Sequence, residues 1–300
     1  MPALPRPASR PAAGYGEALE RARALQALDD ASIRPEARTA LLDCGARAPV
    51  AVVLLHGMTN NPAQFARFAP LVASHGYNVL VPRLPKHGDL DRMTSRLAAV
   101  TAERLLASTT EAVDIACGLG ERVCVLGISL GGILTAHVAQ YRADVARCVP
   151  IGVAFAMLHI PLEVSRLLAA LLGALPNLFL WWDPRARGAA LPPSAYPRFP
   201  TRALVQSLRI ADDVYERAQH APPAARSIVV VTSRGDPAVN NDVTAEVVRA
   251  WRRLRADGID AFEFTNLPRE HDIVDPSTAE AIADTVYPRL LEFIDATPAC

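Results

Sequence analysis

A chain of 300 residues has room for one large domain or two small ones, and 51% hydrophobic residues with 16 glycines place it among ordinary globular proteins. Its 31 basic residues balance 31 acidic ones, so charge points neither to nucleic acid nor to an anionic membrane surface. Five cysteines, Cys44, Cys117, Cys124, Cys148 and Cys300, show no paired spacing, no C-x-x-C and no Cys/His cluster at metal spacing, which makes a reducing cytoplasm the expected compartment.

Residues 1–15 are rich in Pro and Ala, lack the apolar stretch of a secretory signal, and read as a disordered tail. Leu19, Ala22, Leu25 and Leu28 have helical spacing, which predicts a helix over 17–30 on the outside of the domain. Residues 38–43 and 49–55 read as strands around Gly45, 62–75 as a helix ended by Gly76, and 77–82 as a short buried strand. A long helix is predicted over 97–118, then a strand into Ser129, a helix to about Tyr141, and a strand over 145–155.

Over 157–223 the alternation stops and gives way to apolar helical pieces and a Pro-rich stretch with Pro184, Pro192, Pro193, Pro197 and Pro200. The run 167–182 is too short for the roughly 20 residues of a spanning helix, and Pro176-Asn177 breaks it, so no integral membrane association is expected. Strands at 227–232 and 260–265 then alternate with helices at 241–256 and 277–295. The pattern predicts an α/β class with a mostly parallel sheet and helices on both faces. The core would comprise 16–156 and 224–300, with 157–223 inserted as a helical cap over the C-terminal edge of the sheet, where such folds place their sites.

The chemistry centres on Gly127-Ile128-Ser129-Leu130-Gly131, which follows the apolar run Val123, Cys124, Val125 and Leu126. In a strand–turn–helix context, G-x-S-x-G lifts the serine hydroxyl above the sheet, with glycines where side chains would block the turn. A serine capping a helix after a glycine-rich turn is the structural alternative. A nucleophilic serine needs a base, and the base needs an orienting acid. Downstream, Asp236 follows the strand 227–232, and His271 lies in the loop after the last strand, in the chain order serine, acid, histidine. Asp236-Pro237 also suits a helix start, and Asp242 is the rival acid, although Asn240-Asn241-Asp242 looks like the beginning of the next helix. Val52-Val53-Leu54-Leu55 runs into His56-Gly57-Met58-Thr59, so backbone N–H groups of Met58 and Leu130 are candidates for an oxyanion hole. His56 is expected to brace that turn.

With His56-Gly57-Met58-Thr59, Pro82-Arg83-Leu84-Pro85-Lys86-His87-Gly88, Gly127-Ile128-Ser129-Leu130-Gly131-Gly132, Gly235-Asp236-Pro237-Ala238-Val239 and Glu270-His271-Asp272 in view, the chain resembles serine α/β-hydrolases. The resemblance runs from about residue 38 to the C-terminus and is nearest to bacterial carboxylesterases and monoacylglycerol-lipase-like enzymes. Relatives often carry an aromatic residue where Met58 stands, and a glycine three positions before the acid rather than directly before it.

The expected activity is hydrolysis of a small-molecule carboxylic ester through an acyl-enzyme on Ser129, with His271 as base, Asp236 as its orienting acid, and no metal or cofactor. Trp181 and Trp182 suggest a wall for an acyl chain or aromatic acid, or else they pack the insertion onto the core. Thioester, lactone or C–C hydrolysis and acyl transfer use the same residues, and a non-catalytic binding protein of this fold is the alternative from another class.

Overall fold

The computed structural model describes residues 4–157, 160–185 and 194–299; the sequence expectations for 1–3, 158–159, 186–193 and 300 lie outside these described residues. The strands, in chain order, are β1 (Ala40–Leu42), β2 (Ala48–Leu55), β3 (Asn78–Val81), β4 (Gly120–Ile128), β5 (Arg147–Ile151), β6 (Phe179–Trp181), β7 (Arg198–Pro200), β8 (Ser227–Ser233) and β9 (Ile259–Phe264). The helices are α1 (Tyr15–Gln26), α2 (Phe68–Ser74), α3 (Ala102–Leu119), α4 (Leu130–Tyr141), α5 (Leu162–Ala174), α6 (Thr201–His220), α7 (Asn241–Leu254) and α8 (Glu280–Asp295).

Seven strands form one sheet in the order β1-β3-β2-β4-β5-β8-β9. β1 runs antiparallel to β3 at the edge, and every other pairing is parallel. The register brings Leu55 beside Gly127, Ile128 beside Ile151, and Ile151 beside Val231, so the strand ends that carry the candidate residues share one edge.

Alternation along the central strands sorts their side chains onto two faces. Ala51, Val53, Leu55, Val125, Cys148, Ile228 and Val230 join α1, α3, α4, α6 and α7 in one buried core. Val50, Val52, Leu54, Leu126, Val149, Ile151, Val229 and Val231 join α2 and α8 in the other. Burial on both faces is why these strands read as unbroken apolar runs.

Three local expectations are revised. Residues 62–75 split into a 3₁₀ turn at Pro62–Phe65 and the short α2, because the Asn61 side chain accepts the Ala63 N–H and starts the turn early. α6 packs against α4 and α7 and buries Ala203, Ile210, Ala211, Val214 and Ala218 in the first core. It therefore forms an outer layer on α4 and α7 and joins this part of the expected insertion to the core.

The segment before α1 has no regular structure, yet it is tied down: Ser9 Oγ donates to Asp114 Oδ1 at 2.9 Å, the Arg10 N–H donates to Asp114 Oδ2 at 2.6 Å, and the Ala12 N–H meets the Asp114 carbonyl. Composition alone suggests disorder here, but a buried carboxylate on α3 supplies the acceptors.

Arg142 reaches the same Asp114 carboxylate at 2.7 Å, and the Asp114 side chain is only 2% exposed. Replacing Asp114 removes the acceptor of three donors, although Arg142 keeps its pair with Asp144 at 2.7 Å. Asp114→Ala should cost about 2–4 kcal/mol in urea unfolding and increase proteolysis before residue 14; a change below about 0.5 kcal/mol would contradict this role.

Candidate active site

β4 ends at Ile128, and Ser129 turns the chain into α4 with φ of +59° and ψ of −113°, a conformation that a residue with a side chain seldom adopts. The surrounding backbone leaves it no alternative. A Cβ on Gly131 would sit 1.9 Å from the Leu55 carbonyl oxygen, and one on Gly127 would sit 2.3 Å from the Gly131 carbonyl oxygen. The Ser129 N–H is held by the Ile151 carbonyl at 2.9 Å. Leu130 begins α4, so its N–H has no acceptor within the helix and is available beside the serine.

After β8, the 7% exposed Asp236 divides its two oxygens between structure and chemistry. Oδ1 accepts the N–H groups of Ala238 and Val239 at 2.8 and 3.3 Å, while Oδ2 lies 2.8 Å from His271 Nδ1. No helix starts at Asp236: α7 begins five residues on and is capped by Asn240, so Oδ1 holds only the local turn. Asp242 is exposed in the first turn of α7, where its N–H meets the Asn240 side chain at 3.0 Å.

His271 lies in the long connection after β9 and lines the same cavity as Ser129. Burial disfavours its charged form, but the Asp236 hydrogen bond and charge, reinforced by Asp272 and Glu270, prevail and raise its pKa above 6.5. With Asp236 at Nδ1, the neutral ring carries its proton there and leaves Nε2 as a lone-pair acceptor.

After β2, the His56-Gly57-Met58-Thr59 turn is pinned from behind. His56 Nε2 accepts the Leu84 N–H at 3.1 Å, and its Nδ1 faces the Gly57 carbonyl at 2.9 Å. Burial holds this ring neutral, with its pKa well below the usual range. It braces the turn and takes no part in the cavity wall. His87 packs edge-on against it, and His87 Nε2 lies 2.6 Å from the Met58 carbonyl. Burial pushes the His87 pKa down to about 4, and the neutral ring faces the Met58 carbonyl with Nε2 and the Pro85 carbonyl with Nδ1 at 2.9 Å.

The cavity holds about 530 Å³. Ser129, His271, Met58 and Leu130 meet at its floor, and Ile133, Met157, Phe199, Leu204, Leu208 and Trp182 give it a largely apolar wall. Trp182 stacks on Phe199 with ring centroids 4.3 Å apart and donates Nε1–H to Thr59 Oγ1 at 2.9 Å. Trp181 is not part of this wall; it lies in β6, paired with Arg198. Trp182 stands one residue beyond β6, where the chain leaves the strand.

Among the described residues, no three His, Cys, Asp or Glu side chains gather to hold a metal ion. No helix among them is long and apolar enough to cross a membrane.

The sequence reading missed several residues around this site. Gly152, with φ of +48°, ends β5 where an added Cβ would stand 3.2 Å from Asp236 Oδ2 and 3.5 Å from His271 Cε1. The strand expected over 145–155 runs through it, so its only signal is a glycine inside an apolar stretch. His87 stood in a recognised motif without a role, and Gln64, whose Oε1 accepts the Gly57 N–H at 2.9 Å, carried no signal.

The protein resembles "Thermostable monoacylglycerol lipase" of Bacillus sp. (strain H-257), with 30% identity over 166 residues, 54% of this chain and 62% of that relative. The match thus spans less than two thirds of the relative's length. Among solved structures, a soluble variant of monoglyceride lipase from Saccharomyces cerevisiae superposes with a TM-score of 0.68 at 13% identity, covering 88% of this chain and 92% of the other. A structure from work on LipS and LipT, two metagenome-derived lipolytic enzymes, gives 0.61 at 22% identity, with 88% and 99% covered. These likenesses agree with the parallel sheet and its helices on both faces. Residues 52–292 match the alpha/beta hydrolase family, and the chain belongs to that family.

Proposed function

We propose that the protein hydrolyses carboxylic esters with an apolar acyl group through an acyl-enzyme on Ser129. The observation that carries this reading is the strained Ser129 in a mostly apolar cavity that it shares with His271, whose Nδ1 is met from outside the cavity by Asp236. The monoacylglycerol lipase to which the chain is similar supports an ester substrate.

In the first step His271 Nε2 takes the Ser129 proton as Oγ attacks the acyl carbon, and the Met58 and Leu130 N–H groups hold the resulting oxyanion. The imidazolium then protonates the departing alcohol. Water attacks the acyl-enzyme, giving its proton to His271, and collapse of the second tetrahedral intermediate releases the acid and returns the proton to Ser129. Asp236 fixes the ring tautomer and stabilises the imidazolium without taking its proton.

The segment from about 157 to 200 acts as a lid over the acyl site. Trp182 is 43% exposed and also lines the cavity. Leu167, Leu171, Leu175, Leu178 and Leu180 are exposed along the same segment, so apolar surface runs from outside to the cavity wall and suits an acyl chain. The free thiols of Cys44, Cys117, Cys124 and Cys148 are consistent with a cytoplasmic setting.

Ser129→Ala should abolish turnover of p-nitrophenyl esters and labelling by a fluorophosphonate while leaving the unfolding midpoint close to wild type. Persistent labelling in that variant would falsify the nucleophile assignment.

The kcat/KM of the wild-type enzyme should fall toward acid along a limb centred above 6.5, because a raised His271 pKa means the base becomes protonated before an ordinary histidine would. Stopped-flow acylation across pH 5–9 measures it. A midpoint below that value would contradict the charge environment assigned to His271.

Trp182→Ala should shift the acyl-chain optimum by about 1–3 kcal/mol of discrimination, whereas Trp181→Ala should leave it in place. A series of p-nitrophenyl esters from acetate to laurate reads both effects. Equal loss for every chain length in Trp182→Ala would assign this residue to packing alone.

A further inference from the structure

One cavity-lining carboxyl has no part in the chemistry proposed above. Asp272 follows His271 directly in the chain. Asp272 Oδ1 accepts Gln64 Nε2–H at 2.9 Å and Asn60 Nδ2–H at 3.4 Å. At its other end, Gln64 accepts the Gly57 N–H on Oε1 at 2.9 Å.

The direction of this relay is chemically determined. An ionised carboxylate only accepts hydrogen bonds and a backbone N–H only donates, so a primary amide between them has one satisfactory orientation. Gln64 is completely buried, and turning it over would oppose oxygen to oxygen at one end and N–H to N–H at the other. Asp272 therefore dictates how Gln64 stands, and Gln64 dictates where the Gly57 N–H points.

Gly57 precedes Met58, whose N–H is the proposed oxyanion donor. The Met58 carbonyl is held from the opposite side by His87. Between them, His87 and Gln64 grip the turn at both ends, and only the Gln64 end reaches across to the His271 loop.

Resting on the serine-hydrolase reading, we propose that Asp272 is a positioning residue: through Gln64 it aims the Gly57–Met58 turn at the developing oxyanion, and through its charge it supports the His271 imidazolium. The base and the oxyanion donor are thereby held in register although they come from opposite ends of the chain.

The surroundings of the carboxyl fit both roles. Burial, joined by the charges of Asp275, Glu270 and Asp236, raises Asp272 to about 6 against the opposing pull of His271. From the β2 side it faces only the neutral amides of Asn60 and Gln64. At neutral pH the carboxylate is already ionised when the imidazolium forms, and the new positive charge beside it favours that form further.

Asp272→Ala, Asp272→Asn, Gln64→Ala and the double variant Asp272→Ala/Gln64→Ala test this in steady-state hydrolysis of a p-nitrophenyl ester. Asp272→Ala should lower kcat about tenfold or more with KM changed less than about twofold, the pattern of a lost transition-state interaction. Asp272→Asn should recover at least about a third of kcat, because its amide oxygen still accepts from Gln64, while its acid limb moves to lower pH. Gln64→Ala should resemble Asp272→Ala, and the double variant should be little worse than either.

A wild-type kcat in folded Asp272→Ala, or multiplicative losses in the double variant, would overturn the proposal. An unmoved acid limb in Asp272→Asn would overturn it as well, and this variant decides the matter if the alanine form fails to fold. Turnover retained by Ser129→Ala would instead mark failure of the serine-hydrolase reading, independently of these outcomes.

Discussion

The site depends on a contact too close for any side chain, the approach of α4 to the end of β2. With Gly131 against the Leu55 carbonyl oxygen, and Gly127 against Gly131 itself, the turn after β4 closes more tightly than an L-residue would allow at either position. Ser129 absorbs the resulting curvature in its own backbone. Such a conformation costs on the order of 1–3 kcal/mol and persists only where its surroundings over-determine it. Here they do: the Ser129 N–H bonds to β5, its carbonyl accepts the Ile133 N–H, and α4 is buried along most of its length. The central strands and their cores thus hold the hydroxyl in place, while the loops supply its partners.

Those partners are held by polar groups that are nearly all buried. His56 and His87 are kept neutral by desolvation and used as spacers between backbone groups, whereas His271, beside three acidic side chains, is tuned the other way. One residue type serves opposite ends because the sign of its pKa shift follows its neighbours. A buried imidazole without a carboxylate is a rigid hydrogen-bonding wedge. With one, it becomes a group able to accept a proton near neutral pH.

How much of this was legible in the sequence follows from the range of the signals. The central parallel strands announced themselves because burial on both faces leaves unbroken apolar runs. The chain order of Ser129, Asp236 and His271 could be read because each follows a strand, the first two after such a run and His271 after the half-exposed edge strand β9. The partners of single side chains were not legible. Gln64 and Asp272 lie 208 residues apart, and neither sits in a pattern that betrays the other. The tail before α1 read as disordered because composition is blind to a buried acceptor such as Asp114. α6 was assigned to the insertion because its apolar spacing says that it is buried but not against what; only its packing on α4 and α7 makes it part of the core.

The two tryptophans carry the same lesson down to neighbouring residues. As a pair they suggest an apolar wall, but Trp181 ends β6 opposite Arg198 of β7, whereas Trp182 lies one residue beyond the strand and lines the cavity. Trp182 alone stacks on Phe199 and bonds to Thr59, one residue beyond the proposed oxyanion donor. The Tyr196 N–H donates to the Thr59 carbonyl, and Asn61 Nδ2–H to the Ser194 carbonyl. The insertion is therefore tethered to the β2 loop by three hydrogen bonds at two residues, Thr59 and Asn61, which follow closely on Met58. Any displacement of 194–200 pulls on that loop, so the acyl-facing wall and the proposed oxyanion hole are mechanically joined. A change in the wall would then be felt in the chemical step as well as in binding, since misplacing a donor by about 1 Å is enough to cost roughly a hundredfold in rate.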